Sequence, residues 1–179
     1  VPVRLFEDMR PTPELSFAVR HYGCAAGINI TASHNPKEYN GYKVYWSDGA
    51  QLPPEKAELV ARKMEQIDIF TGIKTMDYGD AVKAGLIKLI GDDTDSAFLA
   101  EVMSQATDKD VVAKVADCFK MVYTPFHGAG YKLIPEVLHR LGVKHLFCEP
   151  EQMKPDGSFP TVVSPNPENP EGFRLSIEL

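Results

Sequence analysis

Stretches with helical spacing repeatedly end at a glycine and pass into an apolar run too short to be a buried helix. This repeated order is the strongest constraint on the fold. Leu15, Ala18, Val19 and Tyr22 recur at i, i+3, i+4 and i+7, Gly23 follows, and residues 24–31 read CAAGINIT. The order returns with Leu133, Ile134, Val137, Leu138 and Leu141, then Gly142, then HLFC at 145–148. A helix leading into a short buried strand is the rhythm of an α/β protein. Residues 119–124 (FKMVYT), a glycine-bearing loop at 125–130 (PFHGAG) and this second helix and strand make a βαβ unit, for which a right-handed crossover is the default.

The remaining elements follow from local signals. The chain starts at Val1 without a clear opening element; Thr12, Pro13 and Glu14 read as N-cap, first-turn proline and first-turn acid. Residues 32–41 (ASHNPKEYNG) form turns. Residues 42–47 alternate, with Tyr42, Val44 and Trp46 on one face and Lys43, Tyr45 and Ser47 on the other, predicting a half-buried strand closed at Asp48-Gly49. The aromatic side chains around Trp46 are expected to pack. Pro53, Pro54 and Glu55 open a helix with an apolar stripe of Ala57, Val60, Ala61, Met64 and Ile67, and residues 68–85 read as a connection. Residues 86–90 predict a strand. Asp92, Asp93, Thr94 and Asp95 cap a helix carrying Phe98, Leu99, Val102, Met103 and Ala106. Six of the fourteen prolines lie in 150–170, an extended ordered loop, and residues 171–179 predict the start of a helix.

Composition removes several functions. The 179 residues carry 19 Lys and Arg against 25 Asp and Glu, a net charge of −6, which argues against a nucleic-acid partner. No apolar run approaches the roughly 20 residues that span a bilayer and no signal peptide is evident, so no membrane partner and a cytoplasmic location are expected. Cys24, Cys118 and Cys148 lack C-x-x-C spacing and predict reduced, mostly buried thiols. The five histidines include no H-E-x-x-H pair.

Reactive side chains are densest at residues 31–36 (TASHNP), just beyond an apolar strand, where α/β sheets bind ligands. A polar turn would also use Ser33 and Asn35, bonding them to the local backbone. There is no G-x-S-x-G elbow, and in extended backbone His34 points away from Ser33. If residues 34–41 return the chain, Ser33 ends one strand and Lys43 begins its neighbour about 4.8 Å away. Lys43 then suits a phosphate on Ser33 or a proton-transfer role, with an exposed strand lysine as the alternative.

The unbroken string TASHNPKEYNGYK at 31–43 resembles the active-serine segment of the α-D-phosphohexomutase family, the phosphoglucomutases and phosphomannomutases. The segments TPEL at 12–15, YTPFHG at 123–128 and PDGSFPTVVSPNPENPEG at 155–172 are also similar, the last to the larger bacterial phosphoglucomutase subgroup. The resemblance implies a phosphoserine at Ser33 that gives its phosphoryl group to a hexose phosphate and regains one from the bisphosphorylated sugar. It implies that His34 and Lys43 contact the phosphoryl group or assist proton transfer. It also implies a Mg²⁺ ion held partly by the Ser33 phosphate, and glucose 1,6-bisphosphate as activator.

The family's D-x-D-x-D-R metal loop is not matched, since 92–96 lacks its spacing and its arginine. The expected organisation is therefore α/β, with two incomplete three-layer α/β/α sandwich domains built on mixed sheets. Residues 1–88 are the later part of domain I and residues 89–179 most of domain II. An internal piece of this kind is expected to lack substantial mutase activity, and its uncovered edges to permit homodimerisation or strand exchange. A non-catalytic sugar-phosphate binding protein, a serine hydrolase and, within the family, phosphopentomutase or phosphoglucosamine mutase activity are the alternatives.

Overall fold

A computed structural model describes residues 1–179, apart from the side chain of Lys109. The elements run β1 (Val3–Phe6), α1 (Thr12–His21), β2 (Ala26–Ile30), β3 (Tyr42–Trp46), α2 (Pro54–Glu65), α3 (Tyr78–Lys83) and β4 (Ile87–Ile90), followed by α4 (Asp92–Ser104), α5 (Lys109–Val115), β5 (Lys120–Tyr123), α6 (Leu133–Arg140), β6 (His145–Cys148) and α7 (Arg174–Glu178). Single 3₁₀ turns precede α6, at Ala129–Tyr131, and α7, at Pro170–Phe173.

The strands form three two-stranded ribbons: β1 with β4 and β5 with β6 in parallel, β2 with β3 antiparallel. Parallel and antiparallel pairing with helices between the strands confirms the α/β class. Each ribbon turns one apolar face outward, with Val3, Leu5 and Leu89 on the first, Ile28, Ile30, Tyr42 and Trp46 on the second, and Val122 and Phe147 on the third.

The core lies where α1, α4 and α6 meet. Ala18, Val19, Leu99 and Leu133 are buried there, and the Phe17 and Phe98 rings stand 5.6 Å apart. A Cβ at Gly27 would come within 2.7 Å of Val19 Cγ2, so this glycine lets β2 lie directly on α1. The helix thus anchors the strand that leads into residues 31–41. No helix of the described residues is long and apolar enough to cross a membrane.

Several expectations need correcting. The chain does have an opening element: β1 is stabilised by its parallel partner β4, which is remote in sequence. The Thr12 hydroxyl does not cap α1; Pro11 holds the N-cap position, and Thr12 Oγ1 accepts a 2.8 Å bond from Asn29 Nδ2. In β3 the inward face carries half-buried Lys43 and buried Tyr45, while Tyr42 and Trp46 face out, because Gly27 and Asn29 of β2 meet that inner side. The Lys56 ammonium lies over the outward Trp46 ring, 4.9 Å from its centre. Helix α2 buries none of its residues. Residues 68–85 contain α3, capped by Asp77, whose side chain accepts from the Asp80 amide. Helix α5 was likewise not anticipated from the sequence. None of the three thiols is fully buried: Cys24 and Cys148 are half-buried and Cys118 is exposed, since Cys24 and Cys118 lie in connections between elements and Cys148 ends β6.

Candidate functional site

Residues 31–41 connect β2 to β3. The Thr31 amide donates to the Gly41 carbonyl at 2.9 Å, and the register then runs Ile30 opposite Tyr42 and Asn29 opposite Lys43. The two strands are therefore neighbours, but β2 ends at Ile30, so Ser33 lies in the loop and does not end a strand as expected; Lys43, opposite Asn29, lies at the loop end of β3. A Cβ on Gly41 would collide with the Thr31 carbonyl oxygen, so only glycine allows the strands to close this way.

Inside the loop Ser33 is exposed and left-handed, with φ 60°. Its amide donates to Thr31 Oγ1 at 3.0 Å, and the Asn35 amide donates to the Ala32 carbonyl at 3.2 Å. This conformation overturns the expectation that His34 points away. The left-handed turn at Ser33 brings His34 Nδ1 to 3.3 Å from Ser33 Oγ, which extended backbone would prevent. A non-glycine residue in this region stores on the order of 1 kcal/mol and is found disproportionately at functional sites. The Ser33 residue is thus exposed, in the loop beyond β2 and beside an imidazole.

The aspartates at the start of α4 do not cap it as expected: Gly91 holds the N-cap position, no side chain bonds there, and Asp92 and Asp95 are engaged by cations instead. Asp95, buried, takes two bonds from the Arg10 guanidinium, at 2.7 and 3.0 Å, and one ion pair from Lys132 Nζ at 2.7 Å. Asp92 binds the same ammonium at 2.8 Å. Tyr131 donates to Asp8 at 2.5 Å. The cluster joins the segment before α1, the start of α4 and the turn before α6.

Glu14 lies fully buried beside it, with both carboxyl oxygens lacking a hydrogen-bonding partner in its ionised form. Burial, reinforced by the negative charge of the neighbouring Asp95 carboxylate, pushes the Glu14 carboxyl up to about 8. Burial opposes the shift of Asp95, but bonds from Arg10 and Lys132 overcome it and hold Asp95 well below the usual carboxylate range. The uncharged form of Glu14 is thus favoured by burial beside an ionised Asp95. These acids are consumed by structural partners, and among the described residues no group of three or more His, Cys, Asp or Glu side chains is placed to hold a metal ion.

A second polar cluster was not anticipated. His127, 3% exposed, directs Nδ1 to the Lys154 carbonyl at 2.8 Å and Nε2 to Thr161 Oγ1 at 2.9 Å. Gln152, fully buried, accepts from Thr124 Oγ1 at 2.5 Å and donates to Thr161 Oγ1 and the Gly172 carbonyl, both at 3.1 Å. The glycines of 125–130 provide room, since a Cβ on Gly130 would collide with the Tyr123 hydroxyl and one on Gly128 would press on the Pro125 carbonyl, whereas the neighbouring histidine is buried. Its partners lie 27 and 34 residues away, beyond any local pattern.

Comparison with known proteins gives a consistent result. The family model for phosphoglucomutase/phosphomannomutase alpha/beta/alpha domain I matches residues 1–69, and the model for domain II matches residues 97–179. A phosphoglucomutase of Staphylococcus saprophyticus is 38% identical over 173 residues, covering 97% of this chain and 30% of that protein. One from Staphylococcus aureus is 35% identical over 187 residues, covering all of this chain and 31% of its own length. The chain therefore spans about 30% of the curated relatives it matches. Among solved structures, a Thermus thermophilus protein described as a candidate phosphomannomutase superposes with TM-score 0.70 at 22% identity, over 99% of this chain and 36% of that one. The Paramecium phosphoprotein parafusin, a phosphoglucomutase in an open form, gives 0.64 at 19% identity over 88% of this chain and 32% of its own. Both structures support the fold.

Proposed function

The chain belongs to the phosphoglucomutase/phosphomannomutase family, and from that premise we propose that it carries the phosphoryl-transfer serine of a phosphohexomutase, at Ser33. The observation that supports this most directly is an exposed serine in a left-handed turn, its hydroxyl 3.3 Å from an imidazole nitrogen. In the proposed cycle Ser33 Oγ attacks a phosphoryl group of glucose 1,6-bisphosphate. The new bond is Oγ–P, the bond to the sugar oxygen breaks, His34 takes the serine proton and the departing sugar oxygen gains one. The reverse step phosphorylates the other hydroxyl of the hexose monophosphate, so hexose 1-phosphate and hexose 6-phosphate interconvert. Lys43, at the loop end of β3, supplies positive charge toward the phosphoryl oxygens. Transfer of this kind rests on positioning and charge neutralisation more than on new covalent chemistry.

The donor set of these 179 residues does not fit a complete Mg²⁺ site. Asp92 and Asp95 are held by Lys132 and Arg10, leaving a phosphate on Ser33 as the anionic ligand that the serine turn would offer. We propose that Mg²⁺ is completed by side chains outside this chain. The same reading assigns residues 1–88 and 89–179 to the two domains. β4 runs across that division, and its pairing with β1 would tie the second domain to the first. It also places the whole protein in the cytoplasm, acting on a hexose phosphate. The outward apolar faces of the three ribbons favour homodimerisation or strand exchange when the 179 residues are isolated.

Intact-protein mass spectrometry after incubation with glucose 1,6-bisphosphate tests the reading. The full-length protein is expected to gain one phosphoryl group, lost in Ser33→Ala and slowed on the order of 10²-fold in His34→Ala. No uptake by the full-length protein would sink the assignment. Labelling of Ser33 by a fluorophosphonate would instead favour a hydrolase.

A further inference from the structure

His127 sits at the centre of a loop-holding device rather than in a simple strand-to-helix turn. Two successive residues, Phe126 and His127, are left-handed, with φ 47° and 63°. Both are buried, and both point their side chains at the segment that follows β6. The Phe126 ring meets Phe173 edge-on at 4.9 Å and fills the space a side chain at Gly172 would need. His127 bonds the segment four times. Its amide donates to the Gln152 carbonyl at 2.8 Å, and its own carbonyl accepts from the Asp156 amide at 3.2 Å. Its ring takes the Lys154 carbonyl and the Thr161 hydroxyl.

The hydrogen bonds close without a spare donor. The Lys154 carbonyl can only accept, so Nδ1 carries a proton. In the neutral ring Nε2 then accepts from the Thr161 hydroxyl, leaving the Thr161 oxygen to receive the Gln152 amide. Thr124 completes the set, donating to Gln152 Oε1 and accepting from the Phe126 amide. A connected buried network of this kind selects one conformation for the chain that it binds.

That conformation has a consequence at the serine loop. Beyond Asp156, whose side chain accepts from the Ser158 amide and hydroxyl, the segment turns at Phe159, φ 51°. It then presents Ser158, Phe159 and Val163 across an open cleft of about 270 Å³ from Lys37 and Glu38. Those two residues belong to the same β2–β3 connection as Ser33. One wall of the cleft is thus the serine loop, and the other is held by His127.

We infer that His127 is a positioning residue, which holds residues 156–163 as the second wall of a sugar-phosphate cleft beside the Ser33 loop. The inference rests on the phosphohexomutase reading for its ligand class. Lys37 offers a cation to a phosphate ester, and Glu38 and the Ser158 hydroxyl oxygen, whose proton is held by Asp156, offer acceptors for sugar hydroxyls.

The test uses the full-length protein and its His127→Gln, Thr161→Val and Thr161→Ser variants. Backbone hydrogen exchange and glucose 1-phosphate affinity by calorimetry are the two readouts. In His127→Gln and Thr161→Val, amides of 156–163 are expected to exchange at least about tenfold faster, while those of β5 and β6 stay protected. Affinity is expected to fall about tenfold in both, and Thr161→Ser, which keeps the hydroxyl, to stay within about twofold of the parent. Unchanged exchange in 156–163, or unchanged affinity in a variant whose loop is released, overturns the inference. So does a parent protein that binds no glucose 1-phosphate. A parent that binds the sugar phosphate but takes up no phosphoryl group sinks the Ser33 assignment alone, because the exchange and affinity arms do not pass through that hydroxyl.

Discussion

Ser33 and His127 share nearly the same backbone angle, φ 60° and 63°, and use it in opposite ways. At Ser33 the left-handed turn leaves the residue exposed in the loop beyond β2, with one local bond to its amide and one imidazole nearby. At His127 the same turn drives a ring inward, where both nitrogens and both backbone groups find partners from a distant segment. The conformational cost, on the order of 1 kcal/mol at each, is therefore offset locally at one site and by tertiary structure at the other. A reactive group is displayed where few contacts constrain it; the wall opposite is built where many do.

The largest expected effect comes from breaking the geometry of the exposed site without touching its reactive atoms. Gly41→Ala places a methyl against the Thr31 carbonyl and must part the bond that closes the loop. Phosphoryl uptake at Ser33 should fall about 10²-fold, the scale of an ångström-sized misplacement. Uptake close to the parent's would show that the loop does not need this closure.

The buried site should respond in stability instead. His127→Gly relieves the backbone but abandons two ring bonds and the packed volume of a side chain that is 3% exposed. A loss of about 4 kcal/mol is expected in chemical denaturation.

A third contrast sets the neutral network against the charged seam at Arg10, Glu14 and Asp95. The Glu14 carboxyl, ordinarily near 4.5, is raised to about 8 in the folded chain, so between these values the folded state keeps a proton that the unfolded state releases. The stability it supports is complete below pH 4.5 and is lost as pH rises toward 8. Asp95 acts in the other direction only in acid, its contribution fading as pH falls below 3.8. Stability should drop by on the order of 3 kcal/mol from about pH 5 to about pH 8, and Glu14→Gln should flatten that slope. A parent chain with no slope in this window would mean that Glu14 ionises freely. The smallest effect completes the matched pair: Ser33→Gly should change stability by less than about 1 kcal/mol, because it loses no buried contact. A cost equal to that of His127→Gly would erase the distinction between the two sites.

Legibility in the sequence followed the distance over which each feature is held together. The apolar periodicity of α1, α4 and α6 was readable, because the residues that share a helix face are neighbours in the chain. The loop between β2 and β3 was readable for the same reason, and with it Ser33 and Lys43 as candidates, while His34 entered only through the family resemblance. The proximity of His34 to Ser33 was not, since it turns on one left-handed residue that is not glycine. β1 escaped notice because its pairing partner begins 84 residues later, at Ile87 opposite Val3.

Residue order alone settled the helices α1, α2, α4 and α6, the strands β2–β6 and the reactive loop between β2 and β3, because those preferences are local, but it did not reveal β1, α3 or α5. Which groups end up buried together was settled only by the folded chain. Asp95 looked like a helix cap until Arg10 and Lys132 closed on it, and Thr12 until Asn29 claimed its hydroxyl. His127 looked like part of a turn until Lys154 and Thr161 arrived. A polar side chain removed from water must find its hydrogen bonds wherever the packed chain supplies them, and in each of these cases the supplier lay far along the sequence.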